Sequence, residues 1–150
     1  MAQPKINEKA PAFKGVTQTK ETISITDFKG KKLILYFYPK DNTSGCTAEA
    51  RNLSENYNKL QEAGYEVLGV SPDSVKSHQK FSEKHQLPFP IIADTEKEIL
   101  KAYGVWGEKK MYGRTYMGVK RTTFIINEDG IIEQIIDKVK TKDHTNQILR

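Results

Sequence analysis

The chain has 150 residues, 37% hydrophobic and 29% charged, a size and balance that suit one soluble globular domain with a sizeable core and exclude fibrous or low-complexity architecture. No apolar run approaches the ~20 residues of a membrane-spanning helix, and residues 1–5 lead straight into charged positions with no apolar leader, so a cytoplasmic address is expected. The net charge of +5 comes from 24 basic and 19 acidic side chains; the basic ones fall in short clusters at 29–32, 109–110 and 138–142, a solvated surface rather than a nucleic-acid-binding arm.

Residues 33–38, LILYFY, form a continuous apolar and aromatic run of the kind found in a central strand buried on both faces, and Pro39 ends it. From 46 to 63 the period changes: Cys46, Ala50, Leu53, Tyr57 and Leu60 recur at four and three residues and line one face of a helix, which Gly64 stops. Residues 65–71 read as the next strand. A second helix follows over 74–86, with Val75, His78 and Phe81 at helical spacing. Residues 87–93 are extended, because Pro88 and Pro90 deny their predecessors the helical region. Thr95 with Glu98 suggests a capping box for a short helix through Tyr103. The stretch 104–119, with Trp106, four glycines and two tyrosines, reads as a long functional loop. Residues 122–127 and 131–136 flank Glu128-Asp129-Gly130 as a β-hairpin, and 141–149 closes the chain as a helix. Strands alternating with helices before a terminal hairpin predict an α/β fold, a mixed central β-sheet with helices on both faces.

Cys46 is the one cysteine, which excludes an intrachain disulfide and fits a reducing compartment. A lone cysteine is ordinarily a small buried hydrophobe. Here, however, a strand leads through Pro39-Lys40-Asp41-Asn42-Thr43-Ser44-Gly45 into a helix with Cys46 in its first turn. Unpaired backbone N–H groups and the helix dipole favour an anion there, and such positions are where cysteines turn into reactive thiolates. The hydroxyls of Thr43 and Ser44 lie within a turn of the sulfur, available either as helix caps or as hydrogen-bonding groups for chemistry.

Pro39-x-x-x-Thr43-x-x-Cys46 resembles the signature of peroxiredoxins, and its surroundings are similar to the bacterioferritin-comigratory, or Q-type, branch. The supporting matches are Ala10-Pro11-Ala12-Phe13, Cys46-Thr47-Ala48-Glu49-Ala50, Tyr103-Gly104-Val105-Trp106 and Gly118-Val119-Lys120-Arg121-Thr122-Thr123-Phe124, spread over nearly the whole chain. The resemblance implies a thioredoxin-like fold and a thiol peroxidase that reduces hydrogen peroxide or organic hydroperoxides, with no cofactor and no metal. It implies Cys46 as the peroxidatic nucleophile, Thr43 as the hydroxyl that positions thiolate and peroxide, Pro39 as the shield over the site, and Arg121 as the cation that completes it. Glu49 also matches the branch pattern, although an acid in the first helical turn already suits the dipole.

One position departs from the branch. Many members carry a resolving cysteine five residues after the first; here that residue is Arg51. Five residues place a side chain about 140° around the helix from Cys46, so a disulfide between the two positions would need the helix to unwind. The expected cycle therefore uses an external thiol, from thioredoxin, glutaredoxin or a small molecule, to reduce a Cys46 sulfenic acid, on a monomer or weak homodimer. The alternative on the same scaffold is a redox-sensing or holdase-like binding protein whose Cys46 is oxidised stoichiometrically. Other chemistries lack their residues. A disulfide oxidoreductase would want Cys-x-x-Cys, and a Cys-x5-Arg phosphate loop would need arginine where Asn52 stands. A Cys-His hydrolase would need His78, His85 or His144, each expected on a helix surface, and no clustered ligands suggest a metal.

Overall fold

The computed structural model describes residues 3–149. A short antiparallel pair, β1 (Lys14–Val16) and β2 (Thr22–Ser24), precedes the central strand β3 (Lys32–Phe37). Then come helices α1 (Ser44–Glu55) and α2 (Tyr57–Glu62), strand β4 (Tyr65–Ser71), helix α3 (Val75–His85), strand β5 (Ile91–Ala93) and helix α4 (Glu98–Ala102). Strands β6 (Trp106–Met111), β7 (Arg114–Val119), β8 (Thr122–Ile126) and β9 (Ile132–Ile136) and helix α5 (His144–Leu149) complete the order. The main sheet runs β5-β4-β3-β8-β9, parallel on the β4–β5 side of β3 and antiparallel on the other.

Strand β3 shows why this sheet has two covered faces. Leu33, Leu35 and Phe37 join one core with Phe13, Leu100, Tyr103 and Phe124, while Ile34, Tyr36 and Tyr38 join the other with Ala50, Leu53, Leu60 and Phe81. Successive side chains of a strand point to opposite faces, so an unbroken apolar run can be buried only between two layers. Helix α4 and the N-terminal segment cover one face; α1, α2, α3 and α5 cover the other. Each fully buried aromatic contributes about 1.5–3 kcal/mol, and Tyr36, Phe37, Tyr38, Phe81 and Phe124 are all essentially inaccessible. The ring of Tyr36 fits because its β4 neighbour is Gly69, where a Cβ would lie 2.9 Å from Tyr36 Cζ. The mixed sheet with helices on both faces is what the alternation of strands and helices predicts, and it is the thioredoxin-like arrangement that the resemblance implies.

Three expectations need correction. The helix expected over 46–63 begins at Ser44 and breaks at Asn56 into α1 and α2. Both the backbone N–H and the side-chain amide of Asn56 donate to Asn52 O, a local bond that competes with the helical ladder. The Thr95/Glu98 capping box does not form; Lys97 occupies the cap in a left-handed conformation, and Asp94 Oδ2 accepts the N–H of Leu100 at 2.9 Å instead. The stretch 104–119 is not a loop but the β6–β7 hairpin, paired from Trp106–Val119 to Met111–Arg114. Its two-residue turn, Tyr112-Gly113, has positive φ at both positions, which matches the twist of the flanking strands. Most of β7 is exposed, so no apolar alternation announces it.

Candidate active site

Past the end of β3, Tyr38 keeps its N–H on Val70 O, Pro39 turns the chain outward, and Asp41 ties the loop down. Asp41 N–H donates to Asp73 Oδ2 at 2.8 Å, and its buried carboxylate accepts Tyr38 OH at 2.7 Å and Ser77 Oγ at 2.8 Å. His78 Nδ1 lies 2.6 Å from Asp41 Oδ2, and its Nε2 lies 2.9 Å from the Ile92 carbonyl. His78 is therefore not the helix-surface residue expected of it; it shares the buried face of α3 with Phe81, as its spacing allows. It is fully buried and fastens the loop to α3 and β5. Ligand atoms of Asp41, Asp73 and His78 sit within 4.8 Å of one another, a cluster of metal-binding types invisible in the sequence because Asp41 lies more than thirty residues before the other two. Hydrogen bonds inside the protein already occupy them.

Helix α1 opens with Thr43 as its cap residue, and its first ladder bond is Thr47 N–H to Thr43 O. The N–H groups of Ser44, Gly45 and Cys46 have no place in that ladder. Cys46 is 1% exposed. Arg121, 75 residues later between β7 and β8, places Nη2 3.3 Å from Cys46 Sγ and Nη1 2.7 Å from Glu49 Oε1. Burial works against the guanidinium charge, but Glu49 and Cys46 outweigh it and hold Arg121 above its ordinary range. A Cβ on Gly45 would meet Arg121 Nη2 at 3.1 Å, so the absent side chain is what lets the guanidinium lie against the helix start. The Thr43 hydroxyl is exposed and donates to Lys40 O at 2.8 Å; Pro39 is partly buried beside it. Arg51 points into solvent, 3.8 Å from Glu55.

Behind the sulfur lies a second layer that sequence reasoning did not assemble. Glu49 is completely buried, and burial pushes its carboxyl up to about 7 against the pull of Arg121. Its Oε2 has no hydrogen-bond partner. The nearby group is His144 Nε2 of α5, 3.6 Å away and just beyond hydrogen-bonding distance. His144, expected on a surface, is also fully buried; burial lowers its pKa. Lys109, from the stretch read as a loop, donates to Val119 O, and burial followed by the Arg121 charge lowers its pKa. A signal for Glu49 existed: it stands three residues after Cys46, on the same helical face. For His144 and Lys109 the sequence held none, because both arrive from elements remote in the chain. His85 lies partly exposed against Phe81, away from the sulfur's contacts.

Two clefts of about 530 and 410 Å³ are lined by residues such as Thr17, Gln18 and Pro88, and by Ala12, Phe28 and Asn127. Neither shares a residue with the Cys46 cluster.

Residues 6–135 match the model of the AhpC/TSA family. Peroxiredoxin Bcp of Bacillus subtilis is 43% identical over 145 residues, covering 97% of this chain and 92% of the relative. A solved structure of Xanthomonas campestris peroxiredoxin Q superimposes with a TM-score of 0.86 at 36% identity, covering 91% of this chain and 87% of that one. The PrxQ of Xylella fastidiosa, solved as a cysteine-to-serine variant, reaches 0.92 at 31% identity over 99% of this chain and 95% of that one. The Xanthomonas protein has been solved with serine at either of two different cysteines, where this chain has a single cysteine. Sequence match and shared architecture agree along almost the full length, and the chain belongs to the AhpC/TSA family as a Bcp/PrxQ peroxiredoxin, a thiol-dependent peroxidase.

Proposed function

We propose that this enzyme runs a one-cysteine cycle in which Cys46 reduces hydrogen peroxide and organic hydroperoxides and an external thiol restores it. The observation that carries the reading is the Arg121 Nη2 donor 3.3 Å from Cys46 Sγ, at the open start of α1. The thiolate attacks the terminal oxygen of R–O–O–H; an S–O bond forms, the O–O bond breaks, and RO⁻ departs and takes a proton. Negative charge moves from sulfur to the departing oxygen. Donors fixed in advance along that line stabilise the transition state more than the ground state. Arg121 supplies one such donor with a permanent charge, and the unladdered N–H groups of Gly45 and Cys46 supply others. The Thr43 hydroxyl, already donating to Lys40 O, offers a peroxide its lone pairs, which accept the peroxide O–H and aim its oxygen at sulfur. Pro39 presents no N–H to compete for the peroxide and restricts the loop.

The product is a Cys46 sulfenic acid. Arg51 occupies the position of the usual resolving cysteine and faces solvent, so an outside thiol attacks the sulfenic sulfur, releasing water and leaving a mixed disulfide; a second thiol then frees Cys46. Thioredoxin, glutaredoxin or a small thiol fits this role, and a reducing cytoplasm would supply it. No helix among the described residues is long and apolar enough to cross a membrane. Every residue named in the cycle lies on one chain, so a monomer or weak homodimer suffices.

The test follows peroxide consumption with glutathione or with thioredoxin and its reductase, for the native chain and Cys46→Ser. Sustained turnover by the native protein alone is expected, with a mass spectrum after one equivalent of peroxide showing one added oxygen. Oxidation that stops at one equivalent with every thiol tried favours the sensor reading, and a Cys46–Cys46 dimer as the main product overturns external resolution.

A further inference from the structure

The polar layer behind the sulfur has a gap that its hydrogen bonds define. Gln147 Nε2 donates to Lys138 O and Gln147 Oε1 accepts Lys140 N–H, which orients the amide with its oxygen toward His144. His144 Nδ1, 2.9 Å from that oxygen, is therefore the protonated nitrogen of a neutral ring. Its Nε2 is then a bare acceptor, served by the Thr123 hydroxyl at 2.8 Å. Facing it at 3.6 Å is Glu49 Oε2, a carboxylate oxygen without a partner in a fully buried place. Thr123 already satisfies Nε2, so the acceptor left bare is Glu49 Oε2, and a bare acceptor in a dry site is costly unless it carries a proton.

We propose that Glu49 and His144 hold one shared proton at neutral pH and that His144, acting through Glu49, is a positioning residue that keeps the Arg121 charge available to the Cys46 sulfur. With the proton in place, on Glu49 Oε2 facing Nε2 across the 3.6 Å gap, or on Nε2 with the Thr123 hydroxyl turned to accept it beside Glu49, the pair is neutral overall. Glu49 Oε1 still accepts Arg121 Nη1, and the guanidinium charge is opposed only by the thiolate. When the proton leaves, one guanidinium faces two anions, and hydrogen bonds to a charged acceptor are about twice as strong as to a neutral one. Arg121 is drawn toward Glu49 and its hold on the sulfur weakens. The elevated carboxyl of Glu49, held up by burial, agrees with a proton resident near neutrality. The groups that face the pair are Arg121 before β8, Cys46 on α1 itself and Tyr36 on β3, whose hydroxyl is buried without a partner and stays protonated because burial, then Glu49 and Cys46, raise its pKa. Lys109 on β6 faces Arg121 and Cys46, and its charge would partly offset the second anion.

The inference rests on Cys46 as the nucleophile and Arg121 as its donor, so the test separates the two. The second-order rate of Cys46 oxidation by hydrogen peroxide is measured from pH 6 to 9 for the native protein, Glu49→Gln and His144→Gln, each normalised to its own maximum. Glutamine at 49 copies the protonated acid, with an oxygen for Arg121 and an N–H for Nε2. The native rate should fall about tenfold above neutrality, the size of effect expected from weakening one charge-assisted bond. The fall should vanish in Glu49→Gln and move to a different pH in His144→Gln. A ¹³C titration of the Glu49 carboxyl in the native protein gives a readout apart from activity, and is expected to show a transition coupled to the His144 ring. A Glu49 carboxyl that titrates in the ordinary acid range, or a falling limb that survives in Glu49→Gln, overturns the shared proton. Loss of peroxide reactivity in Cys46→Ser with an unchanged carboxyl titration leaves the pair standing independently, whereas retained reactivity in Cys46→Ser sinks the underlying assignment.

Discussion

Replacing Arg121 by lysine tests the site most directly, because the guanidinium does two things that a single ammonium cannot do together. Nη1 meets Glu49 Oε1 at 2.7 Å while Nη2 meets Cys46 Sγ at 3.3 Å, a fork that lysine lacks. If the ammonium stays with Glu49, the sulfur and the departing oxygen lose a charged donor. Hydrogen bonds to charged groups contribute about 1.5–3 kcal/mol, which at 1.36 kcal/mol per decade slows sulfenic acid formation about 10- to 150-fold. If it moves to the sulfur instead, Glu49 loses its donor in a place with no solvent contact. Breaking a buried pair on one side costs roughly 3–5 kcal/mol, an upper figure here because a carboxyl pushed up to about 7 can take up a proton instead of staying charged. Stopped-flow oxidation of the reduced protein by hydrogen peroxide, beside urea unfolding of the same sample, reads both quantities. An Arg121→Lys protein within twofold of native in rate and unchanged in unfolding midpoint would show that the fork does no work.

Two further predictions use the same geometry. Gly45→Ala puts a Cβ 3.1 Å from Arg121 Nη2, so the guanidinium must retreat by a few tenths of an ångström; since a 1 Å misplacement can cost about 100-fold, a roughly three- to tenfold slower oxidation is expected. Alanine is the better helix former by about 1 kcal/mol, so the unfolding midpoint should hold or rise while the rate falls, and a parallel fall in both would point to general damage. Glu49→Gln separates the carboxyl's effect on stability. The folded carboxyl, at about 7, lies above its unfolded value of 4.5, so its proton-linked stabilisation is complete below 4.5 and is lost as pH rises through about 7. His144, lowered by burial, acts in the opposite sense: its contribution is present above its ordinary 6.5 and lost as pH falls. The native-minus-variant difference in unfolding free energy should therefore decline between pH 4.5 and about 7, and a flat difference would deny the raised carboxyl.

Much of the architecture was legible because it is local. The run 33–38 carries its own statement that both faces are covered, and the Cys46, Ala50, Leu53, Leu60 stripe marks the face of α1 and α2 that meets the sheet; all four are buried. The Pro39, Thr43, Cys46 spacing placed the sulfur in the first turn of a helix, where it is found. Arg121, by contrast, came only through resemblance to a family, since nothing in its own neighbourhood distinguishes it from a surface cation. The β6–β7 hairpin is not legible, because an exposed strand shows no alternation, and neither is the break at Asn56, because one side-chain bond ends a period that otherwise continues.

What the sequence determined by itself was the order of strands and helices, the apolar faces they bury, and a lone sulfur at a helix start with no partner to form a disulfide. The tertiary structure decided which polar groups go inside. His144 looks like a surface residue on its own helix, and the spacing that puts His78 and Glu49 on apolar faces does not say what would satisfy a polar group there. A polar group is tolerated in the core when partners reach it from elsewhere. Asp41 does this for His78, Arg121 for Glu49, and Thr123 and Gln147 for His144. Most of those partners come from distant parts of the chain, and only folding brings them within hydrogen-bonding distance.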